Sequence, residues 1–309
     1  MGSRKGLTLR IGMPRESDFS EDAVCVFAAR GNEERGRLVC WDDRTARDPA
    51  GWTEVRREGQ ETIVAHVAGA DREISLKDTS ALASVFQERE VAYLDISGLA
   101  HHVWAPLLRL GLNQAKRLWV IYVEPFRYRP HLSPDSDTTY DLSSAFGEVS
   151  PLPGFANLTG PTDETRAIFV PFLGFEGMRA RQIARNLDPM PPKVVPVVGL
   201  PGFRIEYPFA AVASSQEFLD QHRAHGNVRL ARASCPFEAY NVLCEIQKDN
   251  PGCYLYIAPV GTRPHALGAV WFAIDHPRTT EVMYDHPQPA PQRSSGVGTT
   301  HIYCLKDDS

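Results

Sequence analysis

The fold of this chain is decided by residues 254–284, which read YLYIAPVGTRPHALGAVWFAIDHPRTTEVMY. This stretch opens with an apolar run over 254–258, turns at Gly261-Thr262-Arg263, and continues into an apolar segment over 264–274. A second short apolar run follows at 281–284. A strand, a helix that begins at a proline and another apolar strand are typical of a βαβ unit with parallel strands. The stretch therefore predicts an α/β fold.

A second unit of similar length lies earlier in the chain. It begins at Tyr93, predicts a helix over 104–115 and a strand over 118–123, and ends on Glu124-Pro125. Any two βαβ units share this order of elements, so the likeness fits either two related halves or two independent units. We predict two Rossmann-like halves with mainly parallel sheets, the first preceded by short strands over 7–11, 23–29 and 38–41.

The segment between the halves has a different composition. Residues 126–165 are rich in Pro, Ser, Asp and Thr, which favour turns and extended chain. We therefore expect an N-terminal α/β domain over 1–125, a linker or long loop over 126–165, and a Rossmann-like ligand-binding domain over 166–309.

Composition and charge exclude several classes of protein. Hydrophobic residues make up 43% of the 309 and charged residues 23%, which excludes a disordered chain. The net charge of −5 argues against a basic nucleic-acid-binding module. Because the chain has no 18-residue apolar run and no signal-peptide pattern, we expect a cytoplasmic protein without a membrane partner. No metal-ligand spacing and no dinucleotide or Walker motif is present, so we expect neither a metal nor a cofactor.

The turn Gly261-Thr262-Arg263 is the sharpest candidate for a binding site. Ligands of parallel sheets bind beyond the carboxyl ends of the strands, and this turn follows such a strand. Glycine lets backbone N–H groups approach an anion, Thr262 can bond a phosphate oxygen, and Arg263 adds charge at the positive end of the helix dipole. An ordinary N-capped turn would use the same residues.

Three side chains are candidates for acid–base chemistry. Asp95 lies at the end of the predicted strand at 91–96, His101 follows that strand, and His265 lies in the first turn of the helix after Gly261. Alternatively, Asp95 caps its own turn and the histidines are packing residues.

From Arg166 onward the chain resembles the CRISPR-associated Rossmann-fold (CARF) sensor domains of prokaryotic defence systems. These domains place one ligand-binding loop after the first strand and another, often Gly-Thr-Lys-like or Gly-Thr-Arg-like, after the fourth. The resemblance implies ligand-binding roles for Gly174, Glu176, Arg179, Gly261, Thr262, Arg263 and His265.

The resemblance implies a sensor subunit that recognises a phosphate-bearing ligand, either a nucleotide signal or a nucleic-acid end, within a defence-type assembly. Such a subunit would have protein partners and could form a homodimer. Two other functions stay open. One is a nucleotide-processing hydrolase or glycosyl-transferring enzyme that uses Asp95, His101 or His265, and the other is a subunit that only binds proteins.

Overall fold

The computed structural model describes residues 6–11, 14–29, 31, 33–48, 51–131, 138–140, 142–157, 160–161 and 166–308. The chain forms two compact units. We call Gly6–Arg127 with Ser294–Ser309 the flanking unit, and Tyr128–Arg293, which lies between these segments in sequence, the inserted unit. The chain therefore enters the flanking unit twice, whereas the sequence predicts one continuous C-terminal domain over 166–309.

The flanking unit is built on an eight-stranded sheet with the order β1-β17-β7-β6-β2-β3-β4-β5. Its elements are β1 (Thr8–Ile11), β2 (Val24–Ala28), α1 (Cys40–Arg47), β3 (Trp52–Glu58), β4 (Thr62–Val67), β5 (Ala70–Ser75), α2 (Thr79–Ala83), β6 (Val91–Asp95), α3 (His101–Gln114), β7 (Arg117–Tyr128) and β17 (Ser294–Asp307). The four neighbours β7, β6, β2 and β3 are parallel. Every residue of β2 is buried, as expected for a central strand covered on both faces.

The outer strands of this sheet are antiparallel, so the expectation of mainly parallel sheets holds only for its centre. β4 pairs antiparallel with both β3 and β5, and β1 pairs antiparallel with β17. Along β4, buried residues alternate with half-buried ones, as in a strand with only one face on the core. The chain is thus α/β in class, with mixed sheets.

The predicted strand over 38–41 is wrong, because helix α1 begins at Cys40. Trp41 and Arg44, three residues apart, share one helical face and are both buried. Asp42 and Asp43 lie in the first turn, where acidic side chains favour the helix dipole. This burial at helical spacing outweighs the strand tendency of a four-residue apolar run.

The inserted unit is built on a five-stranded sheet with the order β11-β10-β14-β15-β9. Its elements are β8 (Ser143–Ala145), β9 (Ser150–Pro151), β10 (Ala167–Pro171), α4 (Gly177–Arg185), β11 (Lys193–Val194), β12 (Val197–Gly199), α5 (Tyr207–Ser214), α6 (Gln216–Gln221), β13 (Arg229–Ala231), α7 (Pro236–Asp249), β14 (Tyr254–Ala258), α8 (Arg263–Asp275), β15 (Thr280–Tyr284) and β16 (Gln288–Pro289). β11, β10, β14 and β15 are parallel, and β9 pairs antiparallel with β15.

β12 continues the position of β11 beside β10. β12 and β13 form a parallel pair, and a parallel bridge joins Phe172, just after β10, to Val197 of β12. Successive parallel strands therefore lie to one side of β10 up to β13, whereas β14 and β15 lie on the other side. The connection from β10 to β11 through α4 and the connection from β14 to β15 through α8 run in opposite directions across the sheet. Since such crossovers are right-handed, α4 and α8 are expected on opposite faces of the sheet. The carboxyl ends of β10 and β14 thus border the point where the strand order reverses.

The described part of the predicted linker over 126–165 contributes to the inserted unit. β9 adds an antiparallel edge strand, and β8 pairs with β16. Leu152 and Phe155 are buried. Residues 132–137, 141, 158–159 and 162–165 of this segment lie outside the described residues. In the ranges that the structure does describe, no helix has both the length and the apolar character needed to cross a bilayer.

Candidate functional site

The loops after β10 and β14 meet at the carboxyl edge of the sheet in the inserted unit. A Cβ atom on Gly174 would lie 2.5 Å from the carbonyl oxygen of Val260, and one on Gly261 would lie 2.8 Å from that of Leu173. Both contacts are closer than real Cβ atoms come to a carbonyl oxygen, so the two backbones pack where any larger residue would clash. The structure therefore brings the two predicted loops together, and their glycines are required by this packing.

Thr262 is the N-cap of α8. Its hydroxyl oxygen accepts a hydrogen bond from the backbone N–H of His265 at 3.3 Å and donates to the carbonyl oxygen of Ala233 at 2.7 Å. The N-cap thus also ties α8 to the loop between β13 and α7. Arg263, the first residue of α8, is half-buried. The turn is an N-capped helix start, as the sequence allows, and it places Arg263 at the carboxyl edge.

His265 is completely buried beside this turn. Its Nε2 lies 3.1 Å from the carbonyl oxygen of Arg232, and its ring packs against Phe172 at a centroid distance of 5.3 Å. Burial lowers the pKa of His265 to about 4, so the imidazole is neutral near pH 7 and Nε2–H donates to the carbonyl. Within the described residues, Nδ1 has no hydrogen-bond partner. This arrangement makes His265 a positioning residue for the two loops.

Arg179 is held by a buried ion pair with Asp285, the residue after β15. Nε and Nη2 of Arg179 donate to the two carboxylate oxygens of Asp285 at 2.8 and 2.7 Å. The side chain of Asp285 is 0% exposed and that of Arg179 is 10% exposed. This pair fastens α4 to the end of β15, so two of the three guanidinium nitrogens are occupied within the unit.

Glu176, the residue before α4, completes this buried network. Its Oε2 accepts a hydrogen bond from the hydroxyl of Ser143 at 2.8 Å and lies 3.8 Å from Nη1 of Arg179. Burial raises the pKa of Glu176, and the nearby Arg179 only partly opposes that shift. Burial alone would lower the pKa of Arg179, but Asp285 more than compensates and the pKa is raised. Arg179 therefore stays charged and balances the buried acids.

The two helix starts at this edge differ in charge. α4 begins beside the buried carboxyl group of Glu176, whereas the first turn of α8 contains no acidic residue and begins with Arg263. Because the N-terminus of a helix carries partial positive charge, the start of α8 favours a bound anion. The carboxyl group beside α4 disfavours one.

Asp95 and His101 lie in the flanking unit. Asp95 is buried, and its carboxylate accepts hydrogen bonds from the indole Nε1 of Trp41 and from the backbone N–H of Ser97, both at 2.9 Å. His101 is the first residue of α3, and its ring packs against Trp104 at a centroid distance of 5.2 Å. The carboxylate of Asp95 thus stabilises its own turn and anchors α1.

Sequence reasoning missed two features of the inserted unit. The sequence assigns no role to Asp285, because nothing in its local sequence identifies Arg179 as its partner. A group of aromatic side chains, Tyr128, Tyr140, Phe175 and Tyr207, was also missed, because only Phe175 lies in a loop that the sequence analysis identifies as a binding loop.

No family model matches this chain, and no curated protein is detectably similar to it in sequence. Over the part of the chain that the structure covers, no group of three or more His, Cys, Asp or Glu side chains is arranged to hold a metal ion.

Proposed function

We propose that the inserted unit is a Rossmann-like module that binds a phosphate-bearing ligand at the carboxyl ends of β10 and β14. The order of its parallel strands supports this. β11 and β12 both pair with β10 and together form one position beside it. Counted in this way, the parallel positions across the sheet run third (β13), second (β11 and β12), first (β10), fourth (β14) and fifth (β15) in chain order, an order that recurs in dinucleotide-binding sheets. Ligands of such sheets bind in the crevice where the order reverses.

The observation that carries the proposal is the position of the α8 N-terminus at this reversal. α8 has 13 residues, begins at Arg263 and has no acid in its first turn. Its dipole and the guanidinium both favour negative charge at the same place. Gly174 and Gly261 let the two loops pack directly against each other, which fixes the start of α8 beside the end of β10.

The predicted ligand-binding residues then divide by role. Gly174, Gly261 and Arg263 form the surface that contacts the ligand. Thr262 and His265 hold the start of α8, and Glu176 and Arg179 hold the start of α4. The CARF resemblance extends the proposal to a cytoplasmic sensor subunit that responds to its ligand within a defence-type assembly.

Titration calorimetry with inorganic pyrophosphate and with ribose 5-phosphate tests the proposal. We expect the wild-type chain to bind at least one of them. Arg263→Ala should weaken that binding by roughly 1.5–3 kcal/mol, the contribution of a charge-assisted hydrogen bond. Its melting temperature should stay close to that of the wild type.

Arg278→Ala is the matched control, because it removes the same charge from an exposed position just before β15, at the amino end of the sheet. The control should bind both probes like the wild type. Absence of binding in the wild type, or equal weakening in both variants, would contradict a phosphate site at α8.

A further inference from the structure

Four aromatic rings form a compact cluster in the inserted unit. The aromatic cluster consists of Tyr128, Tyr140, Phe175 and Tyr207. All six pairs of rings have centroid distances between 4.5 Å, for Tyr140 and Phe175, and 6.2 Å, for Tyr128 and Tyr140. Tyr207 is buried and the other three are half-buried, so the cluster keeps part of its aromatic surface at the protein exterior.

The cluster lies beside the proposed phosphate site. Phe175 directly follows Gly174 in the loop after β10, and Tyr207 begins α5, which follows the loop after β12. β10 and β12 are joined by the bridge from Phe172 to Val197, so both loops leave the same edge of the sheet. A ligand whose phosphate lies against the start of α8 can therefore extend over Gly174 towards Phe175.

The spacing of the rings determines which chemistry they can recognise. A cage for a quaternary ammonium ion needs rings arranged around an open centre, with the cation over their faces. Here each ring contacts the other three, and the centre of the cluster is filled by the rings themselves. A ligand can therefore reach only the outer surface of the cluster, and a partner that suits an exposed aromatic surface is another flat aromatic ring.

We propose that the aromatic cluster is a stacking platform for the base of a nucleotide whose phosphate binds at the start of α8. This inference rests on the proposed function and specifies its ligand class. Base–aromatic stacking tolerates different bases, because every base has a π face. The platform should therefore distinguish nucleotides from sugar phosphates more strongly than it distinguishes one base from another.

The hydroxyl groups of the cluster are compatible with this partner. Burial raises the pKa of Tyr140 and raises that of Tyr207 to about 12. Both phenols are therefore neutral at physiological pH.

The test compares ligands with and without a base. The four nucleoside 5′-monophosphates and ribose 5-phosphate are titrated into the wild type and into Phe175→Leu and Tyr140→Leu, which keep apolar volume but remove an aromatic face. We expect the wild type to bind the monophosphates about 5- to 100-fold more tightly than ribose 5-phosphate. Each variant should lose most of that ratio while binding ribose 5-phosphate normally.

Tyr256→Leu is the control, because it removes a half-buried ring from the middle of β14, where it packs on the core. This control should keep the wild-type ratio. Equal affinity of the wild type for nucleotides and ribose 5-phosphate would overturn the platform while leaving the phosphate site intact. A wild-type ratio of nucleotide affinity to ribose 5-phosphate affinity in both Phe175→Leu and Tyr140→Leu would also overturn the platform. If the wild type binds none of these probes, the proposed function fails and the platform fails with it.

Discussion

Replacement of Arg179 distinguishes a structural arginine from a ligand-binding one. In Arg179→Met the carboxylate of Asp285 stays fully buried but loses both charged hydrogen-bond donors, at 2.8 and 2.7 Å in the wild type. Each such bond contributes about 1.5–3 kcal/mol, and removal of one partner of a buried ion pair typically costs 3–5 kcal/mol. We therefore expect the inserted unit to lose about 3–5 kcal/mol of stability.

The assay is urea denaturation in which unfolding is monitored by hydrogen exchange in peptides of α4 and β15. Unfolding of the flanking unit then does not contribute to the signal. Arg185→Met is the matched control, because Arg185 lies on the same helix and is exposed. It should change stability by no more than about 0.5 kcal/mol. In a unit of this size, the loss in Arg179→Met corresponds to a melting temperature roughly 6–20 °C lower.

A loss of stability below about 1 kcal/mol in Arg179→Met, or an equal loss in Arg185→Met, would refute a structural role for this ion pair.

Two more predictions follow from the site. The folded pKa of His265, about 4, lies below its ordinary 6.5, so neutral His265 contributes fully to stability above pH 6.5 and that contribution falls by about 3 kcal/mol as the pH drops to 4. In urea denaturation at a series of pH values, His265→Gln should reduce this pH dependence of the unfolding free energy. An unchanged pH profile in the variant would contradict the prediction. Gly261→Ala should destabilise the inserted unit by about 1–3 kcal/mol in thermal denaturation, because its Cβ would lie 2.8 Å from the carbonyl oxygen of Leu173. The control Gly226→Ala, whose Cβ would have no atom within 4 Å, should cost less than about 0.5 kcal/mol. Equal effects of the two substitutions would refute the packing role of Gly261.

The sequence predicts the local part of this architecture well. The strands at Tyr254–Ala258 and Val91–Asp95, and the helices that follow them, come from apolar runs and a proline at a helix start, which are local signals. The meeting of the loops after β10 and β14 and the return of β17 to the flanking unit do not follow from local signals. Each depends on pairing between strands that are far apart along the chain.

The candidate site was predicted as a set of loops but not as a set of contacts. Arg179 and Arg263 look alike in the sequence, each beside a glycine loop at a helix start. The partner of Arg179 is Asp285, more than a hundred residues away, and no local pattern announces that pairing. The aromatic cluster likewise gathers rings from four separate segments, so only the tertiary structure reveals it.

Buried carboxylates at the ends of parallel strands show how a structural residue can be distinguished from a ligand-binding candidate. Asp95 is the last residue of β6 and accepts hydrogen bonds from the indole of Trp41 and from a backbone N–H. Asp285 follows β15 and is satisfied by a cation, Arg179. In both cases the carboxylate is buried and both of its oxygens accept hydrogen bonds within the protein, so it stabilises the edge of the sheet. A polar residue at such an edge becomes a candidate for ligand binding only when, like Arg263, it keeps part of its surface exposed where a helix dipole favours the ligand's charge.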